Sequence, residues 1–425
     1  MAEIAVVGTG YVGLTSGACF SHLGHNVTCI DSDQSKVQRL RRGEMPIVEL
    51  GLDDLVKSGL ASDRLKFTFD TKSGVANAEF VFLCLPTPDR PDGTVEMSFV
   101  EDVASRIGPW LRRGAVVVNK STVPVGTTVR VAQLLGRGDV SVVSNPEFLR
   151  EGNAVVDFLR PSRVVVGGDD RDAVEASAAL YQGTGAPVVL CDATSAETIK
   201  YAANAFLATK ISFINSIANI CEHLGADVRV VADAIGRDPR IGNQFLQPGP
   251  GFGGSCFPKD TIGLVKLAEA AGYDFGVLKS VIEANDQQLE RTTNKIVELA
   301  GGSVRDVRIA VWGLTFKAHT DDRRHSPALD ICRRLIDMGA RVVAFDPTVT
   351  GGVTEVEGLD IAHEPVAVCE GAAVLAVLTE WPEFGGVSAA EAGSVMSAKA
   401  VVDARNVLDQ GAWIAAGFKF KGIGY

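Results

Sequence analysis

The sequence predicts an α/β protein: two doubly wound parallel sheets joined by one long central helix and a helical middle segment. Three observations carry this. Short β-branched runs alternate with helical patterns over the first part, the order that builds a parallel sheet. One unbroken helical stretch then runs from Thr194 to about His223, and after Gly301-Gly302 the strand and helix alternation begins again. The expected parts are therefore residues 1–193, 194–300 and 301–425.

The strand-like runs of the first part are Ile4 to Val7, Val27 to Ile30, Phe80 to Leu85, Val116 to Asn119, Val140 to Ser144 and Val164 to Gly167. The first leads directly into Gly8-Thr9-Gly10-Tyr11-Val12-Gly13, which opens a helix. In that context each glycine answers a physical need. The first allows a tight turn, the second lets backbone approach a pyrophosphate, and the third packs helix on strand. Asp31 follows Gly13 by 18 residues and ends the next strand, where an acid takes ribose hydroxyls. Its charge repels a 2′-phosphate, so the first domain is expected to be a Rossmann-like NAD site, although Lys36, Arg39, Arg41 and Arg42 follow closely.

The long stretch from Thr194 is expected to open with a capping box of Thr194 and Glu197 and to stop before Gly225. At 1.5 Å per residue it would span roughly 45 Å, enough to link two domains. Helical patterns continue to about Leu299. In the last part, a strand from Arg308 to Val311 precedes a helix from Pro327 to Met338, with Ser326 as N-cap and Gly339 at its stop, and then the strand Arg341 to Phe345.

Composition narrows the function classes. A chain of 425 residues with 46% hydrophobic and 22% charged content is globular and holds more than one core. A net charge of -11 argues against a general nucleic-acid or membrane-surface binder, so a phosphate site must be a local cluster of cations and N–H groups. No basic leader precedes the first strand, and apolar runs such as Ala372 to Leu378 are far shorter than a membrane span, so a soluble cytoplasmic protein is expected. Eight cysteines without a CxxC pair fit a reducing compartment, and Cys19, Cys29, Cys84, Cys191, Cys221 and Cys332 read as small core residues. The six histidines form no ligand set, so no metal is expected.

Cys256 stands apart. Gly249 to Asp260 reads GPGFGGSCFPKD, a glycine-rich loop with one cysteine and Pro258 at the start of a helix that reaches about Ala271. A thiol just before a helix N-terminus lies in a positive field that favours the thiolate nucleophile. On local sequence alone an inert buried thiol fits equally well.

GFGGSCFPKD and the preceding GRDPRIGNQFLQPGP resemble the active-site segment of the UDP-glucose 6-dehydrogenase family. So do STVPVG, SNPEFLREG, KYAANAFLATKISFINSIANICE and GLTFKAHTDDRRHSP, in the family's order over nearly the whole chain. The resemblance implies two successive oxidations of one sugar carbon by NAD, UDP-glucose to UDP-glucuronate, with Cys256 holding the carbon as thiohemiacetal and then thioester. It implies Lys200 and Asn204, four residues apart on one helix face, as stabilisers of the reacting oxygen, and Asp260 as a second active-site acid working with Lys200. It implies Glu147 as general base, with Thr122 holding a catalytic water or the cofactor.

By the same resemblance Gly8, Gly10, Tyr11, Val12, Gly13, Asp31, Lys36, Thr87, Thr122, Glu151 and Arg324 face NAD. Glu147, Phe148, Leu149, Arg150, Glu151, Lys200, Asn204, Phe245, Gly249, Gly253, Lys317 and Arg405 face the nucleotide sugar. Arg240 is expected to reach a neighbouring active site across a homodimer interface built largely by the long helix, and polysaccharide biosynthesis is the implied use of the product. The family's PIYEPGL is Pro46-Ile47-Val48-Glu49-Leu50-Gly51-Leu52 here, and Gln244 replaces a common lysine, differences that touch the sugar more than the reaction. A GDP-mannose dehydrogenase shares the mechanism but usually has leucine where this chain has Phe257; a non-catalytic nucleotide-sugar sensor would have lost reactive positions that are intact here.

Overall fold

The computed structural model describes residues 1–425. Its contacts divide the chain into two compact units: Met1–Ala203 with Lys266–Gly272, and Asn204–Val265 with Tyr273–Tyr425.

The first unit is built on an eight-stranded sheet of β1 (Glu3–Val7), β2 (Asn26–Ile30), β3 (Leu65–Thr68), β4 (Phe80–Leu83), β5 (Val116–Asn119), β6 (Ser141–Ser144), β7 (Val164–Gly167) and β8 (Val188–Cys191). The strand order is β3-β2-β1-β4-β5-β6-β7-β8. Strands β1, β4, β5 and β7 are apolar almost throughout because helices cover both faces of the sheet, and the core forms in two layers, one on each side. Two findings depart from the sequence reading. β6 pairs with β7 antiparallel, so the sheet is mixed. Cys191, expected in the core, is half-buried on the edge strand β8.

The second unit carries a six-stranded parallel sheet of β9 (Arg308–Trp312), β10 (Arg341–Phe345), β11 (Asp360–Ile361), β12 (Val374–Val377), β13 (Ala400–Asp403) and β14 (Lys419–Lys421). Its order is β11-β10-β9-β12-β13-β14. The helices Val228–Gly236, Phe257–Ala270 and Gly276–Leu299 precede it. Ser326 caps the helix Pro327–Asp337 by accepting from Ala328 N, as its sequence predicts.

The long helix runs Ala193–Leu224, and the division between the units falls inside it. Its start is not the expected capping box. Asp192 takes the cap, its Oδ1 accepting from Ser195 N at 2.8 Å. Glu197 turns away, and its buried carboxylate accepts from Gly126 N at 2.6 Å, Thr128 N at 2.8 Å and Thr128 Oγ1 at 2.7 Å. Three donors at the start of the helix Thr127–Leu135 satisfy a buried charge better than one cap bond. At the other end Gly225 adopts φ +72° and Ala226 N returns to Cys221 O, a glycine stop of the expected kind.

Candidate active site

The turn after β1 shows three glycines needed for three reasons. Gly8 has φ +96°, and a Cβ there would lie 2.3 Å from Cys84 O. A Cβ on Gly13 would lie 1.9 Å from Gly8 O, so the helix Tyr11–His22 can approach the strand only with glycine. A Cβ on Gly10 would meet no atom within 4 Å; the space above it is open, and no side chain caps the helix that begins there. An uncapped helix N-terminus beside open space fits a pyrophosphate.

Asp31 lies beside this turn. Its Oδ2 accepts from Thr9 N at 3.0 Å, Thr9 Oγ1 at 2.6 Å and Lys36 Nζ at 2.8 Å, and its Oδ1 accepts from Asp33 N at 3.0 Å. Partial burial pushes its pKa up, but these donors overcome that and bring it to about 2. Lys36 is thus the partner of Asp31. Tyr11 accepts from Gly152 N through its hydroxyl at 2.6 Å, and Val12 packs on the core. Thr87, after β4, and Thr122, after β5, are half-buried on adjacent loop ends.

Glu147 follows β6 and is buried. Its Oε1 accepts from Lys200 Nζ at 2.8 Å and its Oε2 from Leu149 N at 2.6 Å. Burial pushes the Glu147 pKa up, but the Lys200 charge and hydrogen bond prevail and hold it below the ordinary value, so it is a carboxylate at neutral pH. Phe148 is covered by the Arg163 guanidinium at 3.7 Å from its ring centre. Arg150 forks to Asp157 at 2.9 and 2.7 Å, and Glu151 is half-buried in the same loop.

In the second unit, Asp260 N donates to Cys256 O at 2.8 Å, the first turn of the helix Phe257–Ala270. Cys256 is therefore that helix's N-cap and its half-buried thiol stands at the positive end. Pro258 is the second helical residue, one place later than expected. Asp260 is fully buried; its Oδ2 accepts from Asn204 Nδ2 and its Oδ1 from Lys259 Nζ, each at 2.6 Å. Ser255 Oγ lies 3.6 Å from the Cys256 sulfur.

Around this loop Gly253 admits no side chain, since a Cβ would lie 2.2 Å from His325 O. Gly249 N donates to Asn215 Oδ1 at 2.8 Å, and a Cβ at Gly249 would lie 3.2 Å from Arg405 Nη1. Arg405, after β13, is held by Leu378 O at 3.0 Å and Phe316 O at 2.9 Å. Phe245 has φ +64°, a left-handed backbone that costs a non-glycine residue about 1–3 kcal/mol and occurs at functional loops. Lys317 and Arg324 lie on the loop between β9 and the helix Pro327–Asp337, Arg324 with Asp322 at 2.7 Å. Arg240 is exposed beside Asp238, on the loop after Val228–Gly236.

Residues 2–184 match the NAD binding domain of the UDP-glucose/GDP-mannose dehydrogenase family, residues 194–287 its central domain and residues 310–410 its UDP binding domain. The chain belongs to that family. It is 44% identical over 433 residues to the UDP-glucose 6-dehydrogenase of Rhizobium meliloti (strain 1021), covering 99% of each chain. Among solved structures it resembles a UDP-glucose dehydrogenase from the hyperthermophilic archaeon Pyrobaculum islandicum, with TM-score 0.90, 36% identity and coverage of 100% of this chain and 98% of that one. It also resembles a UDP-D-ManNAc dehydrogenase from Pyrococcus horikoshii, with TM-score 0.89, 29% identity and 99% coverage of both.

For a member of this family, sequence reasoning passed over three buried charges, Glu49, Lys120 and Lys259, and read a fourth, Glu197, only as part of a helix cap. Glu49 accepts from Gly152 N and Ala154 N, both at 2.7 Å, and so fixes the loop that carries Glu147 to Glu151. Charged residues inside apolar surroundings were the available signal, but the partners of Glu49, Lys120 and Glu197 lie far away in sequence, and only Lys259 pairs with its neighbour, Asp260.

Proposed function

We propose that this chain is an NAD-dependent UDP-glucose 6-dehydrogenase that oxidises the sugar's primary alcohol to a carboxylate through Cys256. The observation that carries the reading is Cys256 as N-cap of the helix Phe257–Ala270, with Asp260 one turn on and joined to Asn204. Residues 1–193 serve the cofactor, 194–300 the thiol chemistry and association, and 301–425 the nucleotide. The open space at Gly10 and the acid at Asp31 fit NAD, with Gly8, Gly13, Thr87, Thr122, Glu151 and Arg324 assisting. When bound, NAD supplies the two-electron oxidant twice.

The chain's own residues handle the carbon, the oxygen and the protons. Cys256 Sγ adds to the carbonyl carbon of the aldehyde; a C–S bond forms as the π pair moves to oxygen. Asn204 Nδ2 and Lys200 Nζ, one helical turn apart, donate to that oxygen. After the second oxidation the carbon is a thioester. Glu147, ionised at neutral pH, takes a proton from water; hydroxide adds, the C–S bond breaks and the thiol returns. One alcohol, two NAD and one water give one carboxylate, two NADH and three protons. Lys317 and Arg405 answer the diphosphate charge, and Phe245, Gly249 and Gly253 shape the loop around the sugar.

Assay of UDP- and GDP-sugars with NAD tests this. Two NADH per UDP-glucose and a carboxylate product are expected; one NADH and an aldehyde would reduce the reaction to a single oxidation. We further propose a homodimer through the long helix, supported by Phe206, Phe213, Ile220 and Leu224, which are 66%, 52%, 51% and 76% exposed at spacings that keep them on one stripe. Light scattering is expected to give twice the chain mass of 44.8 kDa. No helix is long and apolar enough to cross a membrane. We also propose that the protein works in the cytoplasm, a reading supported by its eight cysteines all being free thiols, as a reducing compartment keeps them.

A further inference from the structure

Lys120 is a buried cation that the reaction above does not use. It follows β5, two residues before Thr122, and is 4% exposed. Its Nζ donates to Asn145 Oδ1 and to Tyr181 OH, both at 3.0 Å, and Tyr181 OH donates to the same Asn145 oxygen at 2.6 Å. Asn145 Nδ2 donates to Val165 O at 2.7 Å, so the amide is fixed at both ends. The ammonium also lies 5.3 Å from the Tyr181 ring centre and 5.9 Å from that of Phe158. None of its hydrogen-bond partners is a carboxylate, so nothing in contact neutralises the charge. A buried ammonium so placed is costly, and a buried Met in its place would cost less.

The residue that Lys120 fixes stands two positions before Glu147. The titratable groups that act on Lys120 are Cys84 at the end of β4, Glu147 after β6 and Lys200 on the long helix, with the Tyr181 hydroxyl in contact. Glu147 in turn is drawn toward its ionised form by Lys120 as well as by Lys200. Burial lowers the Lys120 pKa to about 8, so its charge is in place over the acid range in which a carboxylate titrates. We infer that Lys120 is a positioning residue for Glu147, fixing through Asn145 the backbone that carries the carboxylate and holding it ionised by charge. The inference rests on the reading of Glu147 as the general base.

The test is the pH dependence of kcat for UDP-glucose oxidation by the wild type and by Lys120→Met, Lys120→Arg and Glu147→Gln, with melting temperature and NAD affinity measured in parallel. A base needed in its ionised form gives an acid limb that falls as pH drops through its pKa. Removing a nearby cation raises that pKa, so the Lys120→Met limb is expected to move up by about one pH unit, with NAD affinity unchanged and Lys120→Arg at the wild-type position. If Lys120→Met does not fold, Lys120→Gln carries the same test, because it keeps a donor to Asn145 and lacks the charge. A uniform loss of kcat with the limb in place in the uncharged variants overturns the inference while leaving Glu147 as base. A limb that survives in Glu147→Gln overturns the base and the inference together.

Discussion

The two sheets of this molecule repeat one topology and differ in what they leave open. Both have the strand order 3-2-1-4-5-6, counting from β1 in one unit and from β9 in the other, with β7 and β8 added to the first. Both turn after the central strand on a glycine that admits no Cβ: Gly8 against Cys84 O and Gly313, at φ +92°, against Thr379, each at 2.3 Å. Both place an aspartate after the second strand. Asp31 keeps its side chain 14% exposed, with Lys36 beside it. Asp346 is 1% exposed and accepts from Leu314 N, Thr315 N, Thr315 Oγ1 and Trp381 Nε1 on Oδ2 and from Thr348 N and Oγ1 on Oδ1. An acid so saturated has no lone pair for a ribose. The fold repeats, but only the first copy presents a dinucleotide turn; the second offers side-chain cations on its loops instead.

The largest expected effect isolates the second unit's chemistry. Cys256→Ala should abolish acid formation while NAD still binds, because the cofactor turn lies wholly in the first unit. Full turnover by this variant, followed by NADH release and product mass, would remove the thiol from the mechanism. Next is Asp346→Asn, which leaves at least two buried donors facing an amide group that cannot accept from them. A loss of about 2–4 kcal/mol is expected, a fall in the second unit's melting temperature of about 5–10 °C. A melting curve within a degree of wild type would mean that Asp346 is no keystone and that the contrast with Asp31 is superficial.

A smaller effect sharpens the contrast from the other side. Gly10 has ordinary extended backbone, φ -71° and ψ -169°, and open space where a Cβ would go. Gly10→Ala should therefore change stability by less than about 0.5 kcal/mol while weakening NAD roughly tenfold, since the methyl group enters the space left for pyrophosphate. Calorimetric titration with NAD checks it; unchanged affinity would place the cofactor elsewhere.

What was legible in the sequence was local. The glycine turn, the Cys256 loop, the helix Pro327–Asp337 and the i, i+4 relation of Lys200 and Asn204 each declare themselves within a few residues. β3, with the sequence Leu65-Lys66-Phe67-Thr68, is short and interrupted by charge, and nothing in the Val164–Gly167 run states that it reverses against β6. Glu197 shows the same limit, since its partners are 69 and 71 residues away. So does Lys120, whose partners are 25 and 61 residues away. The roles proposed for Lys317, Arg240 and Arg405 came from family resemblance, because a lone surface cation carries no local signature.

The smallest expected effect is electrostatic and has a definite sign. Asp31 has a depressed pKa, about 2, so in the folded protein it binds its proton less readily than in the unfolded chain, where an aspartate titrates near ~3.9. Its contribution to stability is then fully present above about pH 4 and is lost as pH falls toward 2. The difference in melting temperature between wild type and Asp31→Asn should accordingly narrow from pH 5 down to pH 2.5, and should also narrow at high salt because the Lys36 pair is partly exposed. Asp403 in the second unit acts with the opposite sign: burial raises its pKa, so protonation in mild acid favours the folded form. A gap between wild type and Asp31→Asn that stays constant down to pH 2.5 would show that shape, not charge, is what Asp31 contributes to its turn.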